Sequence, residues 1–422
     1  MTPGTRSDRD AASAADQDLL SRHGLTVGGI TALTTLFTAL GPISMSMYAP
    51  AMPALARTLD TTVGMVQLTL TIYLIAFAVA QLVHGPLSDR FGRKPVLMAG
   101  LAIFVTGSLA AALAPSIGWL IAARFVQAIG VCAGAVIARA IVRDLFDGAA
   151  AARVMAAIGM ALTIAPAIGP ILGGYLTAWL DWRAIFVFHT LCGLLLAALT
   201  YRSLPETNVH KDPGALDPTR MAGNFATMLV TPQFVGFAVI NACMLAGLFL
   251  FAAVGPFVFI DVLGVHTANY GWLTLLTTSA YFAGATIARR QSGRWGMRRM
   301  VLIGAGCSCL GCALLVGAVA TGIVTVVSMI TPMMMLTLGI GLSMPGAMAG
   351  ALTPFPHIAG SASALLGFLQ MGLGSVALVI AGIMGQNTVL ALAAIPTGAM
   401  IIGLTVFLTM VPASADLEKS AS

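Results

Sequence analysis

The sequence predicts an all-α polytopic membrane protein: twelve transmembrane helices in two six-helix bundles. Three observations predict it. The composition is too apolar for a water-soluble surface, apolar runs of membrane-crossing length recur along the chain, and the bases between them fall on one side. The 422-residue chain is 58% hydrophobic and 9% charged, with a mean hydropathy of +0.95. A soluble domain of that composition lacks the polar residues to cover itself. Runs of about 20 apolar residues match the hydrocarbon thickness of a bilayer instead.

Twelve spans are expected at about 27–50, 61–84, 95–114, 117–142, 152–179, 184–202, 233–259, 270–288, 300–319, 323–350, 360–384 and 389–411. Many are rich in glycine and alanine, which in lipid permits close helix packing. The loops orient them. With the N-terminus inside, eighteen of the 21 bases fall in inner segments and two, Arg57 and Arg183, in outer loops. That split predicts cytoplasmic N- and C-termini and an even number of spans. One base, Arg124, is left inside a span.

The longest polar stretch between spans, 204–232, holds Pro205, Glu206, His210, Lys211, Asp212, Pro213, Asp217 and Pro218. It reads as a cytoplasmic linker between an N-terminal bundle at 27–203 and a C-terminal bundle at 233–411. Residues 1–26 read as a disordered cytoplasmic tail, without the short apolar core of a signal peptide, and 412–422 as a second tail. An internal repeat supports two halves. Arg90-Phe91-Gly92-Arg93-Lys94 follows span 2, and Arg294-Trp295-Gly296-Met297-Arg298 follows span 8.

Composition also excludes function classes. The formal charge of +6 lies in short loops that set topology, so nucleic acid is not an expected partner. The six cysteines, Cys132, Cys192, Cys243, Cys307, Cys309 and Cys312, all lie in apolar runs and read as packing residues. The cluster at 307–312 has no histidine or carboxylate beside it, so no metal is expected. A membrane-embedded enzyme would need paired acids, a His-x-x-x-His metal site or a serine with a base inside the spans. The spans contain none of these, and no cofactor is expected.

The residues with most chemistry are Gly85-Pro86-Leu87-Ser88-Asp89-Arg90-Phe91-Gly92-Arg93-Lys94. This charged turn between two apolar runs resembles the loop between helices 2 and 3 of the major facilitator transporters. Arg124-Phe125-Val126-Gln127-Ala128-Ile129-Gly130 is similar to that superfamily's arginine motif in span 4. Ala165-Pro166-Ala167-Ile168-Gly169-Pro170-Ile171-Leu172-Gly173-Gly174 resembles the antiporter signature of span 5, with Ala165 at the usual first glycine. Gly41-Pro42, Met47-Tyr48-Ala49-Pro50-Ala51-Met52-Pro53, Val142-Arg143-Asp144-Leu145-Phe146 and Asp181-Trp182-Arg183 resemble the bicyclomycin- and chloramphenicol-resistance branch of the twelve-span drug:proton antiporters. That branch usually has an acid just before the Met-Tyr pair, where this chain has Ser46. No Asp or Glu stands in the middle of any expected span, and an intramembrane carboxylate is the usual proton relay.

The resemblance implies a fold of two parallel six-helix repeats and roles for particular residues. The counterparts of Asp89, Arg93 and Asp144 form a charge chain that latches the cytoplasmic side, with Gly85, Arg90, Gly92 and Lys94 in the same loop. Asp89 would also face the start of span 11 near Gly360 and Ser361, whose free N–H groups favour an anion. The bland alternative is a loop that only anchors topology; anchoring needs bases but no acid. Arg124, with Gln127 one turn on, either lines the central cavity or hydrogen-bonds carbonyls near span 1 as a structural cation. Pro166 and Pro170 should kink span 5, and Gly169, Gly173 and Gly174 let a neighbour approach. Tyr48, Asn241 and Gln370 are candidate cavity residues, because buried amides and hydroxyls need partners in lipid. Tyr73, Phe249, Tyr281 and Met371 are weaker ones. His84 and His189 are the remaining ionisable groups for proton work, and His84, beside the latch loop, is the favoured relay.

The expected protein is therefore a monomeric secondary transporter in a bacterial inner membrane, surrounded by lipid. It exports small amphipathic drugs by alternating access, with protons as the coupling ion. The alternative is a metabolite exporter or facilitator, for an amino acid or sugar, without proton coupling. A sensor that binds ligand without flux is a further one.

Overall fold

A computed structural model describes residues 26–412, apart from 147, 209–210, 215–216 and 386. The two expected tails lie outside the described residues except for Thr26 and Pro412, as does His210 of the linker. The membrane-crossing elements are α1 (Val27–Ser46), α2 (Val63–Phe91), α3 (Arg93–Ala112), α4 (Ile117–Leu145), α5 (Gly148–Trp179), α6 (Arg183–Ser203), α7 (Pro232–Pro256), α8 (267–295), α9 (297–320), α10 (Val326–Leu352), α11 (Ala359–Met384) and α12 (Thr388–Met410). Their starts are set locally. Thr62 and Ser116 accept from the backbone N–H three residues on, and Thr325 with Ser328 forms a reciprocal capping box.

α8 and α9 read as one 54-residue helix from Thr267 to Ala320, except that Gly296 has φ 70° and ψ 163°. A straight helix of that length would run about 80 Å, far beyond a bilayer. Both pieces instead pack on one stretch of α10. Gly284 of α8 lies against Leu338 and Leu342, and Gly304 of α9 lies against Gly339 and Ser343. The chain therefore turns back at Gly296, which makes twelve spans.

Gly92, between α2 and α3, has nearly the same backbone, φ 108° and ψ 157°. Residues with a side chain essentially never adopt it. The repeat goes further than these two turns. Gly100 and Gly107 of α3 let α4 approach at Gly130 and Gln127; Gly304 and Gly311 of α9, each 204 positions later, do the same for α10 at Gly339 and Leu336. The two halves share a hairpin, its hinge and its packing glycines.

Several boundaries differ from the sequence expectation. Residues 85–91 are not a loop: α2 continues through Pro86 to Phe91, and the break falls at Gly92 alone. The span 1 region continues past residue 50 as a short turn, Ala49–Ala51, and a helix, Met52–Thr58. Pro50 and Pro53 sit at the first positions of these pieces, where a missing N–H costs nothing. α5 runs through Pro166 and Pro170 as one helix. The linker contains an amphipathic helix, Pro218–Leu229, whose Met228 is buried in the core of the second half.

The face carrying the α2–α3 and α8–α9 turns bears Arg90, Lys94, Arg289, Arg290, Arg294 and Arg299, and is called the basic face below. The buried apolar residues form three clusters. Near the opposite face one cluster joins both halves, from Met47, Leu70 and Trp182 to Phe257, Tyr270 and Met329. Toward the basic face the halves have separate cores. The opposite face is closed further by tight backbone contacts: Gly64 of α2 against Gly382 of α11, and Gly174 of α5 against Thr267 of α8. Arg57 and Asp261 form an ion pair of 2.8 Å across it.

Gly304→Leu is expected to force α9 off α10 and cost about 1–3 kcal/mol or more, lowering the thermal unfolding midpoint of the detergent-solubilised protein. Gly306→Leu, where a Cβ meets nothing within 4 Å, is expected to leave the midpoint unchanged or raise it.

Candidate functional site

The helix ends at the basic face converge on Arg93, the first residue of α3. Its side chain is 7% exposed. Nη1 donates to the Asp89 carboxylate of α2 and to Ser88 Oγ, the latter at 2.8 Å. Nε donates to Asp144 Oδ2 of α4 at 2.8 Å. One guanidinium thus ties three helix ends together through charge-assisted hydrogen bonds.

The linker completes this cluster, which the sequence reading did not foresee. Glu206 accepts from the backbone N–H of Arg93 at 2.8 Å and of Lys94 at 3.2 Å. It caps the N-terminus of α3 with a carboxylate, where the helix dipole favours one. Asn208 donates from Nδ2 to the Asp89 carbonyl at 2.9 Å, at the end of α2, and Thr207 donates to Asp144 at 3.3 Å. Lys94 Nζ donates to the Tyr201 carbonyl at 3.0 Å. Arg90 is exposed and rests over the Phe91 ring. The signal for Glu206 was an acid placed directly after span 6 on a face otherwise dominated by bases.

Beside this cluster a cavity of about 520 Å³ opens between the halves. Gln81, Gly85, Asp89 and Arg93 line one wall with Arg139 and Arg143 of α4, and Gly360, Ser361 and Ser363 of α11 line the other. No hydrogen bond joins Asp89 to Gly360 or Ser361 among the described residues. Asp89 is held within its own half by Arg93.

A second polar cluster lies inside the first half. Arg124 is 0% exposed. Its Nη1 donates to Gln127 Oε1 at 2.6 Å and to the Ser44 carbonyl of α1 at 3.3 Å. Its guanidinium stands 4.1 Å from the Tyr73 ring centre, 4.7 Å from Tyr48 and 5.9 Å from Phe186. No carboxylate pairs with it among the described residues; an aromatic cage carries the charge. Gln127 passes the network on to Ser108 at 2.8 Å and to His189 at 3.5 Å. Tyr48 and Thr69 share a 2.6 Å hydrogen bond, and Tyr73 and Ser44 one of 2.7 Å.

The candidate residues therefore separate into groups. Arg124, Gln127 and Tyr48 meet in that cluster, and the Ser44 contact is the structural arrangement anticipated for Arg124. Asn241 of α7 and Gln370 of α11 form their own pair at 2.6 Å in the other half. All five are buried rather than cavity-lining in this conformation. His84 Nδ1 is bonded to the Ala80 carbonyl of its own helix at 2.8 Å and does not join Asp89. The histidine in the arginine network is His189, not the favoured His84. In α5, Gly169 and Gly173 lie against Ser46 and Met47 of α1, and Pro170 and Ile171 lie against Gly271 of α8. Ser46 Oγ reaches the Ala165 and Ile43 carbonyls, both at 3.4 Å, so the hydroxyl at the departing position is satisfied.

Comparison with known proteins places this geometry in context. The profile of the Major Facilitator Superfamily matches residues 34–379. A Chloramphenicol resistance protein of Pseudomonas aeruginosa is 32% identical over 363 residues, 84% of each chain. Multidrug resistance protein D of Escherichia coli (strain K12) is 32% identical over 348 residues, 80% of this chain and 84% of its own. Among solved structures, the xylose transporter XylE from E. coli in a partially occluded inward open conformation superposes with a TM-score of 0.69 at 16% identity, over 92% of this chain and 98% of that one.

Arg93→Ala leaves Asp89, Asp144 and Ser88 without their shared donor and is expected to cost about 2–3 kcal/mol, held below the fully buried case because Asp89 is half exposed. Glu206→Ala removes the α3 cap and is expected to cost about 1–2 kcal/mol. Thermal unfolding of the purified variants measures both, and Arg93→Ala should have the lower midpoint.

Proposed function

The chain belongs to the major facilitator superfamily, whose members are transporters rather than enzymes, and we propose that it exports small amphipathic compounds, antibiotics among them, by alternating access. The observation that carries this reading is the closed opposite face combined with a cavity between the halves at the basic face. Kinship with proteins named for chloramphenicol and multidrug resistance supports the substrate class. The distribution of bases supports a basic face toward the cytoplasm, both termini inside, and residence in a bacterial inner membrane.

In this reading the structure is the cytoplasm-facing state. Substrate enters between the halves, the basic face closes, and the fused core opposite opens. The Asp89–Arg93–Asp144 cluster holds the first half rigid while Asp89 is available to dock on the N-terminus of α11 when the cavity shuts. The division at 204–232 serves as a strap: Glu206, Thr207, Asn208 and Asp212 bind the first half, and the helix Pro218–Leu229 binds the second through Met228. The close α1–α5 and α5–α8 contacts at Gly169, Gly173 and Gly271 seal the path against leak. Substrates are neutral or weakly charged, since no carboxylate lies mid-span to pair with a cation.

Protons are the proposed coupling ion. One observation favours the rival reading of an uncoupled facilitator: Ser46 stands where the resembling branch has an acid. Energised inside-out vesicles discriminate the two. Addition of a phenicol, bicyclomycin, a cationic dye or an amino acid is expected to collapse the pH gradient for the amphipathic antibiotics only, and Asp89→Asn is expected to lose at least tenfold of that rate. Movement of labelled compound down its own gradient with no proton signal would establish the facilitator instead.

A further inference from the structure

The cavity at the basic face contains more positive charge than the latch uses. Arg93 is fully engaged with Asp89 and Asp144. Arg139 and Arg143, four residues apart on the same face of α4, line the same cavity. Neither makes a hydrogen bond or an ion pair among the described residues; Arg139 is half-buried and Arg143 exposed. Two acids border the cavity, Asp89 and Asp212; the first is held by Arg93, and neither pairs with Arg139 or Arg143. Two like charges one helical turn apart repel each other, and an anion held between them relieves that repulsion.

The opposite wall is built to receive the same charge. α11 is 26 residues long, and no side chain caps its N-terminus. Its first residues, Gly360, Ser361 and Ser363, face the cavity, and the two hydroxyls make no hydrogen bond among the described residues. Arg143 Nη1 lies 3.7 Å from the point where a side chain on Gly360 would begin. Closing the basic face would press the Arg139 and Arg143 charge onto the positive end of a helix dipole where one acid, Asp89, docks, and an anion between the walls removes the repulsion that remains.

We propose that this cavity binds the oxyanion group, carboxylate or phosphate, of a small ligand between Arg139 and Arg143 on α4 and the N-terminal turn of α11. Such a group satisfies both walls at once and draws the two halves together on the basic face. It also sets a specificity: the route into the molecule favours anionic over cationic compounds of equal size. A dissolved solute and a lipid headgroup both carry the required chemistry. The inference concerns binding alone and stands whether or not the export reading does.

The full chain in nanodiscs of neutral phosphatidylcholine is titrated with inorganic phosphate at constant ionic strength, by calorimetry. Saturable binding is expected. Arg139→Gln with Arg143→Gln should weaken it at least tenfold, while the conservative pair Arg139→Lys with Arg143→Lys retains it, which guards against a variant that simply fails to fold. Arg289→Gln with Arg290→Gln, on the exposed α8 end, should leave it unchanged. A second series in nanodiscs containing phosphatidylglycerol assigns the source. If that lipid competes with phosphate, or elicits the Arg139- and Arg143-dependent response where phosphate alone does not, the site takes a headgroup and the chemistry stands. Absence of saturable binding in both series, or equal loss in the Arg289 and Arg290 variant, overturns the proposal.

Discussion

The Arg93 guanidinium is the fixed point of the first half. α2 and α3 meet at a glycine with a backbone that only glycine adopts, so the hinge itself contributes no rigidity. Arg93 restores it by binding the last turn of α2 and the last turn of α4 together. The arrangement is self-consistent in its charges. The end of α2 presents free carbonyls, which Asn208 satisfies, and the start of α3 presents free N–H groups, which Glu206 satisfies. Each helix terminus in the hinge thus meets a partner of the right sign from the linker. The related turn at Gly296 shows what the cluster adds. There Met297 replaces the arginine, Gly293 stands where the first half has Asp89, and the bases of the turn form no ion pair among the described residues.

A rigid half matters because the two faces of the molecule differ in how the halves are joined. On one face the halves share a hydrophobic core and tight backbone contacts; on the other they have separate cores and a polar cavity. The helix pair that bridges both regions is α2 with α11. It contains two buried glutamines with unsatisfied atoms: both amide atoms of Gln67 and Oε1 of Gln81 lack partners. Gln81 packs against Gly367 and Gln67 lies near Gly382. A pair of helices fitted for one arrangement would not leave such groups unpaired.

Much of the fold was legible because the bilayer is an unforgiving solvent. Span number, the two halves and the hinge glycines follow from hydropathy, from the placement of bases and from the repeat around Gly92 and Gly296. The Asp89–Arg93–Asp144 cluster was also legible, since acids and bases are rare enough in this chain for each to stand out. Boundaries were less so. α2 and α8 extend past their apolar runs because a helix continues into water until a residue such as Gly92 or Gly296 stops it, and hydropathy registers only the part in lipid. The linker was read from its prolines and charges as a spacer, and nothing local in 204–212 announces that Glu206 and Asn208 fold back onto a turn more than a hundred residues earlier. The place of His189 in the arginine network was hidden for the same reason. Proximity along the chain to Asp89 favoured His84, whereas α4 and α6 bring His189 to Gln127 across 62 residues.

The Arg124 cluster bears on the missing acid of span 1. A buried cation ordinarily demands a carboxylate, and position 46 is where the resembling branch supplies one. Here a carbonyl from Ser44, an amide from Gln127 and the faces of Tyr73, Tyr48 and Phe186 surround the guanidinium instead, and its Nε and Nη2 make no hydrogen bond among the described residues. Ser46 points elsewhere, into the α5 contact, where Gly169 already touches it and leaves no room for a longer side chain. The short side chain at position 46 thus belongs with the tight α1–α5 packing. Its electrostatic consequence is an interior with one uncompensated positive charge and no mid-span negative one. Such an interior favours neutral or anionic groups over cations beside Arg124.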